Sequence, residues 1–197
     1  MKAAQVRELL LQGLQTEQGG MLVYETALTC VQNDELKEEW TKYLQQTRRH
    51  VEIMQDLCVA FRVDPEQMTP GREVVRHHGR SLVQAMEMAR KAGPEAAAEL
   101  VATECVVLAE TKDHLNWELL SLVKEKASGK EREALRAAIE EVEEEEDEHL
   151  YHSTGWSREL WIQSLGLAPV LPPPEEQKDV KTAIGAARAK MARKEMV

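Results

Sequence analysis

Glu146 and His149 stand where a helix wants leucine. The apolar positions around them recur at steps of three and four: Leu135, Ile139, Val142, Glu146, His149, Ser153, Trp156, Leu160. A carboxylate and an imidazole on the core side of a helix cost several kcal/mol each unless they are paired or bound to a metal. Three other stretches carry the same kind of intrusion. Glu17 interrupts Leu10, Leu14, Met21, Tyr24, Leu28 and Val31. His50 interrupts Leu36, Trp40, Tyr43, Thr47, Met54, Leu57 and Phe61. Glu110 and His114 fall in Ala96, Leu100, Thr103, Val107, Trp117 and Ser121.

These lines predict four long helices over about residues 3–32, 34–63, 94–126 and 129–165, with a connecting helix over about 72–91. The breaks are marked by Asn33-Asp34, Asp64-Pro65, Pro70-Gly71, Gly93-Pro94 and Ser128-Gly129, each with turn or capping chemistry. The short first and last breaks make antiparallel hairpins. The connecting helix, about 30 Å long at 1.5 Å per residue, returns the chain so that the second and third long helices run parallel. Counted from the breaks near 33 and 128, Glu17 lies 16 residues back, His50 17 forward, and Glu110 and Glu146 18 back and 18 forward. All sit at mid-height of their hairpins. Gly19 and Gly20 weaken the first helix beside Glu17, permitting a bulge or a close backbone approach.

Composition narrows the reading. Among 197 residues Phe occurs once and aromatics make up 4%; helix formers dominate and no alternating β-branched run is present, so the class is all-α. The net charge of −10 excludes nucleic acid as a general partner. Cys30, Cys58 and Cys105 are widely spaced, with no Cys-x-x-Cys, which excludes a zinc ribbon or rubredoxin-like site and reads as small core residues in a reducing compartment. No secretory signal is read, nor a run near the roughly 20 apolar residues of a membrane span, so a soluble, cytoplasmic protein without membrane association is expected. The acidic run 140–148 and the pair His77-His78 read as solvated faces. Residues 1–166 form the bundle; residues 167–197 are a Pro-rich linker followed by a short basic helix.

Carboxylate oxygens and imidazole nitrogens clustered at one depth suit iron or manganese; no thiolates join them, which argues against a structural zinc site. The pattern resembles the ferritin-like superfamily of di-iron carboxylate bundles, most closely its rubrerythrin-type and erythrin-type members, over about residues 10–165. Such bundles use a Glu from each of two helices and a Glu-x-x-His from each of the other two. The resemblance implies an antiparallel four-helix bundle with an extra helix in the second connection. It makes Glu17 and Glu110 the single glutamates, and Glu146 and His149 one full motif. His50 becomes a terminal nitrogen ligand, and Tyr24 a catalytic donor or radical-quenching residue near the metal.

One position departs from that pattern. The second helix reads Thr47-Arg48-Arg49-His50, so a hydroxyl replaces the expected bridging glutamate. Two residues are candidate substitutes: His114, one turn beyond Glu110 on the same line, and Asp113, three residues after it, where the resemblance allows a second acid. The expected function is a non-haem di-metal protein, with two iron ions or manganese in their place, reacting with O2 or peroxide in oxidative-stress defence or iron handling. No rubredoxin-like segment is present, so an electron donor would be a separate protein, and a homodimer or higher homo-oligomer is expected. The alternative is a ferritin-like scaffold whose site holds one metal or none because of Thr47.

Overall fold

The computed structural model describes residues 1–170. Five helices account for most of them: α1 (Ala3–Ala27), α2 (Asp34–Ala60), α3 (Pro70–Ala92), α4 (Glu95–Lys126) and α5 (Gly129–Ser164). No strand occurs among the described residues. The basic helix expected near the C-terminus lies outside them.

Local chemistry sets the helix starts. The Asn33 side chain accepts the Leu36 N–H at 3.0 Å, and the Thr69 hydroxyl accepts the Arg72 N–H at 3.1 Å with Pro70 at the first helical position; each satisfies an amide the helix leaves open. α1 ends at Ala27, about five residues before the sequence-based boundary. The reason is tertiary. Glu99 of α4, 7% exposed, accepts the backbone N–H groups of Gln32 and Asn33 at 2.7 and 2.8 Å, and that carboxylate holds the α1–α2 turn in a non-helical path. α2 likewise ends at Ala60.

α1, α2, α5 and α4 pack in that order around a closed square, each touching its two neighbours, while α3 lies across α1 and α4. Contacts fix the directions. Trp117 meets Glu17 while Glu99 meets Gln32, so α1 and α4 are antiparallel. Trp40 meets Ser153 while His50 meets Glu145, so α2 and α5 are antiparallel too. With both hairpins antiparallel, α2 and α4 run in the same sense, as the length of the connecting helix requires. The architecture is that of a ferritin-like bundle.

Gly19 resolves to a close approach, not a bulge. A Cβ built on Gly79 of α3 would meet the Gly19 Cα at 3.4 Å, so two glycines let the backbones of α1 and α3 cross. Gly20, its neighbour, faces the Thr47 methyl at 3.4 Å from the built Cβ. Arg72 anchors the start of α3: only 4% exposed, it donates to the carbonyls of Pro65 and Gln67 and to the Gln15 side chain.

The core divides in two. One apolar cluster joins Leu10, Leu14, Met54, Leu57, Leu120 and Leu135 toward one end. The other joins Tyr24, Trp40, Tyr43, Met86, Ala102 and Val106 toward the opposite end. A polar layer lies between them. In α4 the buried line is displaced from the one read in the sequence. Leu100 and Val107 are half-buried, whereas Ala102, Val106, Asp113 and Leu120 are buried. The register of a long helix packed on three others is set by those neighbours. The three cysteines are buried and unpaired; burial pushes the Cys58 and Cys105 thiols up to about 11, in keeping with inert core residues. No helix among the described residues is long and apolar enough to cross a membrane.

Candidate metal centre

Six ionisable side chains fill the polar layer: Glu17 from α1, His50 from α2, Glu110 and Asp113 from α4, and Glu146 and His149 from α5, each no more than 5% exposed. The ligand atoms of His50, Glu146 and His149 lie within 4.8 Å of one another, as do those of Glu17, Asp113 and Glu146. Glu146 belongs to both groups.

Both imidazoles present the same edge. His50 Nδ1 is 3.2 Å from Glu146 Oε1 and 3.6 Å from Glu17 Oε1. His149 Nδ1 is 3.6 Å from Glu110 Oε2 and 3.8 Å from Glu146 Oε1. The opposite nitrogens point away: His50 Nε2 meets Glu145 Oε2 at 2.8 Å, and His149 Nε2 meets Gln46 Oε1 at 3.1 Å. An Nε2–H donating to those oxygens leaves the inward Nδ1 lone pair free, the tautomer that a ligand histidine needs. The two rings stack with centroids 5.7 Å apart. Glu17 is steered in a similar way, since the Trp117 indole N–H donates to Oε1 at 2.8 Å. The sequence treated Trp117 as plain core, and missed Gln46 and Glu145. Both of those residues lie on half-exposed helix faces, where no departure from apolar periodicity marks them.

Much of this donor set is unsatisfied within the protein. Glu17 Oε2, His50 Nδ1, Glu110 Oε2, Asp113 Oδ1 and both Glu146 oxygens are buried with no hydrogen-bond partner. At ~1–3 kcal/mol per orphaned group, and more for charged ones, the sum is a large share of the ~5–15 kcal/mol by which a domain is stable. Four carboxylates facing one another explain the titration behaviour. Burial first, then Glu17, Glu146 and Glu110, push the Asp113 carboxyl well above its ordinary range. Burial and the Glu17 and Glu110 charges raise Glu146 despite His50. Burial alone would lower His50, but Glu17, Glu145 and Glu146 outweigh it and raise it well above the histidine range. A pair of divalent cations bound by these atoms satisfies the orphaned oxygens and offsets four negative charges, so the residues present fit a di-metal centre.

Tyr24 is fully buried beside the layer, its ring edge-on to His149 at 6.0 Å, Tyr43 at 6.2 Å and Trp40 at 6.3 Å. Burial, then the Glu110 and Glu146 charges, push its phenol well above 10, so it keeps its proton. His114 is placed differently from Glu110. Its Nε2 meets Asp147 Oδ1 at 3.1 Å, its ring lies against Tyr151, and it belongs to neither ligand group. Asp147, within the acidic run, is therefore buried as well as Glu146; the sequence placed only Glu146 on the core line. Thr47 is buried in the layer, but its hydroxyl donates to the Tyr43 carbonyl at 2.9 Å on its own helix.

A square of four helices with carboxylates and histidines converging at mid-height is the architecture of a ferritin-like carboxylate bundle. The sequence matches the family model for ubiquinone biosynthesis protein COQ7 over residues 14–159, and the chain belongs to that family. The family is one of di-iron carboxylate hydroxylases in ubiquinone biosynthesis. The match bears out the superfamily expected from the sequence, but through COQ7 and not through the rubrerythrin-type or erythrin-type subgroup. Neither the curated proteins nor the solved structures return a match.

Proposed function

We propose that the chain is an O2-dependent di-iron hydroxylase acting on a ring-substituted benzoquinol of the ubiquinone type. The observation that carries the reading is the layer of buried, unsatisfied carboxylate and imidazole atoms spanning both hairpins. Membership of the COQ7 family supplies the substrate class. It also moves the reading away from the oxidative-stress or iron-handling role expected from sequence, which neither the family nor the geometry supports.

Two iron ions bound here supply O2 reduction and oxygen-atom transfer. In the net reaction a ring C–H bond is replaced by C–OH, and the second oxygen atom leaves as water. A reductant, a separate donor protein or the quinol itself, supplies two electrons, and two protons are taken up. Glu17, Glu110, Asp113, Glu146, His50 and His149 hold the ions. Glu145 and Gln46 fix the histidine rings, and Trp117 fixes Glu17. Tyr24 keeps a proton at its hydroxyl beside Glu110. The apolar clusters on either side keep bulk water out of the layer, which strengthens every charge interaction inside it.

Anaerobically reduced, iron-loaded protein is mixed with isotope-labelled dioxygen and a short-chain substituted benzoquinol, and the product is weighed by mass spectrometry. Incorporation of one labelled oxygen per ring, lost in Glu146→Ala, is expected. Stoichiometric iron with no incorporation overturns the hydroxylase reading. A second reading draws on the Thr47 hydroxyl being committed to its own helix: α2 then offers only His50, and the protein is a scaffold with a one-metal or empty centre. Less than one iron per chain after iron-supplemented expression selects it.

A further inference from the structure

We infer that Asp113 of α4 supplies, beside Glu17 and Glu146, the metal-binding carboxylate that Thr47 withholds on α2. The inference rests on the di-iron reading above and specifies its ligand set.

Three observations carry it. Thr47 offers no anionic oxygen: its hydroxyl is turned back along α2 to donate to the Tyr43 carbonyl, and its methyl faces Gly20. Asp113 is 5% exposed, its Oδ1 has no partner, and its ligand atom lies within 4.8 Å of those of Glu17 and Glu146. The other substitute, His114, is turned to Asp147 at 3.1 Å. The layer thus keeps four carboxylates and two histidines, the inventory of a di-iron bundle, although its α2 contribution is halved. His50 Nδ1 lies 3.6 Å from Glu17 Oε1 and His149 Nδ1 3.6 Å from Glu110 Oε2, so each of those glutamates has one histidine beside it.

The test counts metal and does not depend on turnover. Apo protein is titrated anaerobically with Fe(II), and separately with Mn(II) followed by electron paramagnetic resonance. The wild type is expected to bind two ions, with an exchange-coupled manganese spectrum at saturation. Asp113→Asn, which keeps size and shape, is expected to bind one of the two about 100-fold more weakly and to show isolated manganese. Thr47→Glu added to Asp113→Asn is expected to restore the second ion, and His114→Gln to leave both ions bound. Unfolding of each apo variant in denaturant confirms that a lost ion is not a lost fold. Two ions bound to Asp113→Asn with unchanged affinities overturn the inference while leaving the di-iron reading intact. Fewer than two ions in the wild type overturn both.

Discussion

The Trp117 indole N–H donates to Glu17 Oε1 at 2.8 Å across the α1–α4 interface, leaving Glu17 Oε2 without a protein partner. One ring therefore packs between the two helices and aims a carboxylate into the polar layer. Trp117→Phe retains most of the packing and removes the donor. The expected result is a 10–100-fold loss of metal affinity with a stability loss of about 1–3 kcal/mol from the orphaned oxygen. Chelator competition and urea unfolding measure the two effects separately.

Both Glu146 oxygens are buried without a hydrogen bond, and Oε1 faces His50 Nδ1 at 3.2 Å. In the metal-free protein Glu146→Leu removes a charge that burial and the Glu17 and Glu110 carboxylates disfavour, so the variant is expected to be at least as stable as the wild type despite the lost His50 contact. With metal the order reverses. Ligand at 100 times its Kd adds about 2.7 kcal/mol per site to the wild type and little to the variant. A variant destabilised without metal would show that the carboxylate is satisfied inside the fold.

The α1–α3 crossing makes opposite predictions for its two glycines. A Cβ on Gly19 would sit 3.8 Å from the Gly79 Cα, an ordinary contact, so Gly19→Ala should gain up to about 1 kcal/mol from helix propensity. At Gly79 the first Cβ already meets backbone at 3.4 Å, so Gly79→Val should lose about 1–3 kcal/mol through overpacking. Thermal melts of the two variants decide the signs.

His152 Nδ1 meets Glu39 Oε1 at 2.7 Å near the end of the bundle. The bond to Glu39 raises His152 above the ordinary histidine value of 6.5. Burial would raise Glu39, but His152, Tyr43 and Trp156 hold it below 4.5. The histidine contribution is complete below pH 6.5 and is lost as pH rises through its folded value. The glutamate contribution is complete above pH 4.5 and is lost as pH falls through its own. The pair is therefore strongest between those pH values. Half-exposure limits it to about 0.5 kcal/mol. His152→Ala should differ most from wild type near pH 5.5, and the difference should shrink as pH rises through the raised folded value of His152, measured by urea midpoints across pH.

Period and depth were readable in the sequence. Glu146 and His149 interrupted an apolar line at helical steps, and Glu17, His50 and Glu110 did so at matching distances from two turns. These features sufficed for the four-helix architecture, because helix spacing and hairpin length are properties of the chain itself. The choice between Asp113 and His114 was not readable. Residues three and four after Glu110 both lie near its face of α4, and which one enters the layer depends on how α4 is rotated against α1, α3 and α5. The same holds for Gln46, Glu145 and Trp117, whose partners are 95–103 residues away. The sequence determined that a polar layer of carboxylates and histidines exists and at what height. Only tertiary packing decided which carboxylate replaces the one missing at Thr47, because that choice turns on side-chain direction between helices, which no single helix encodes.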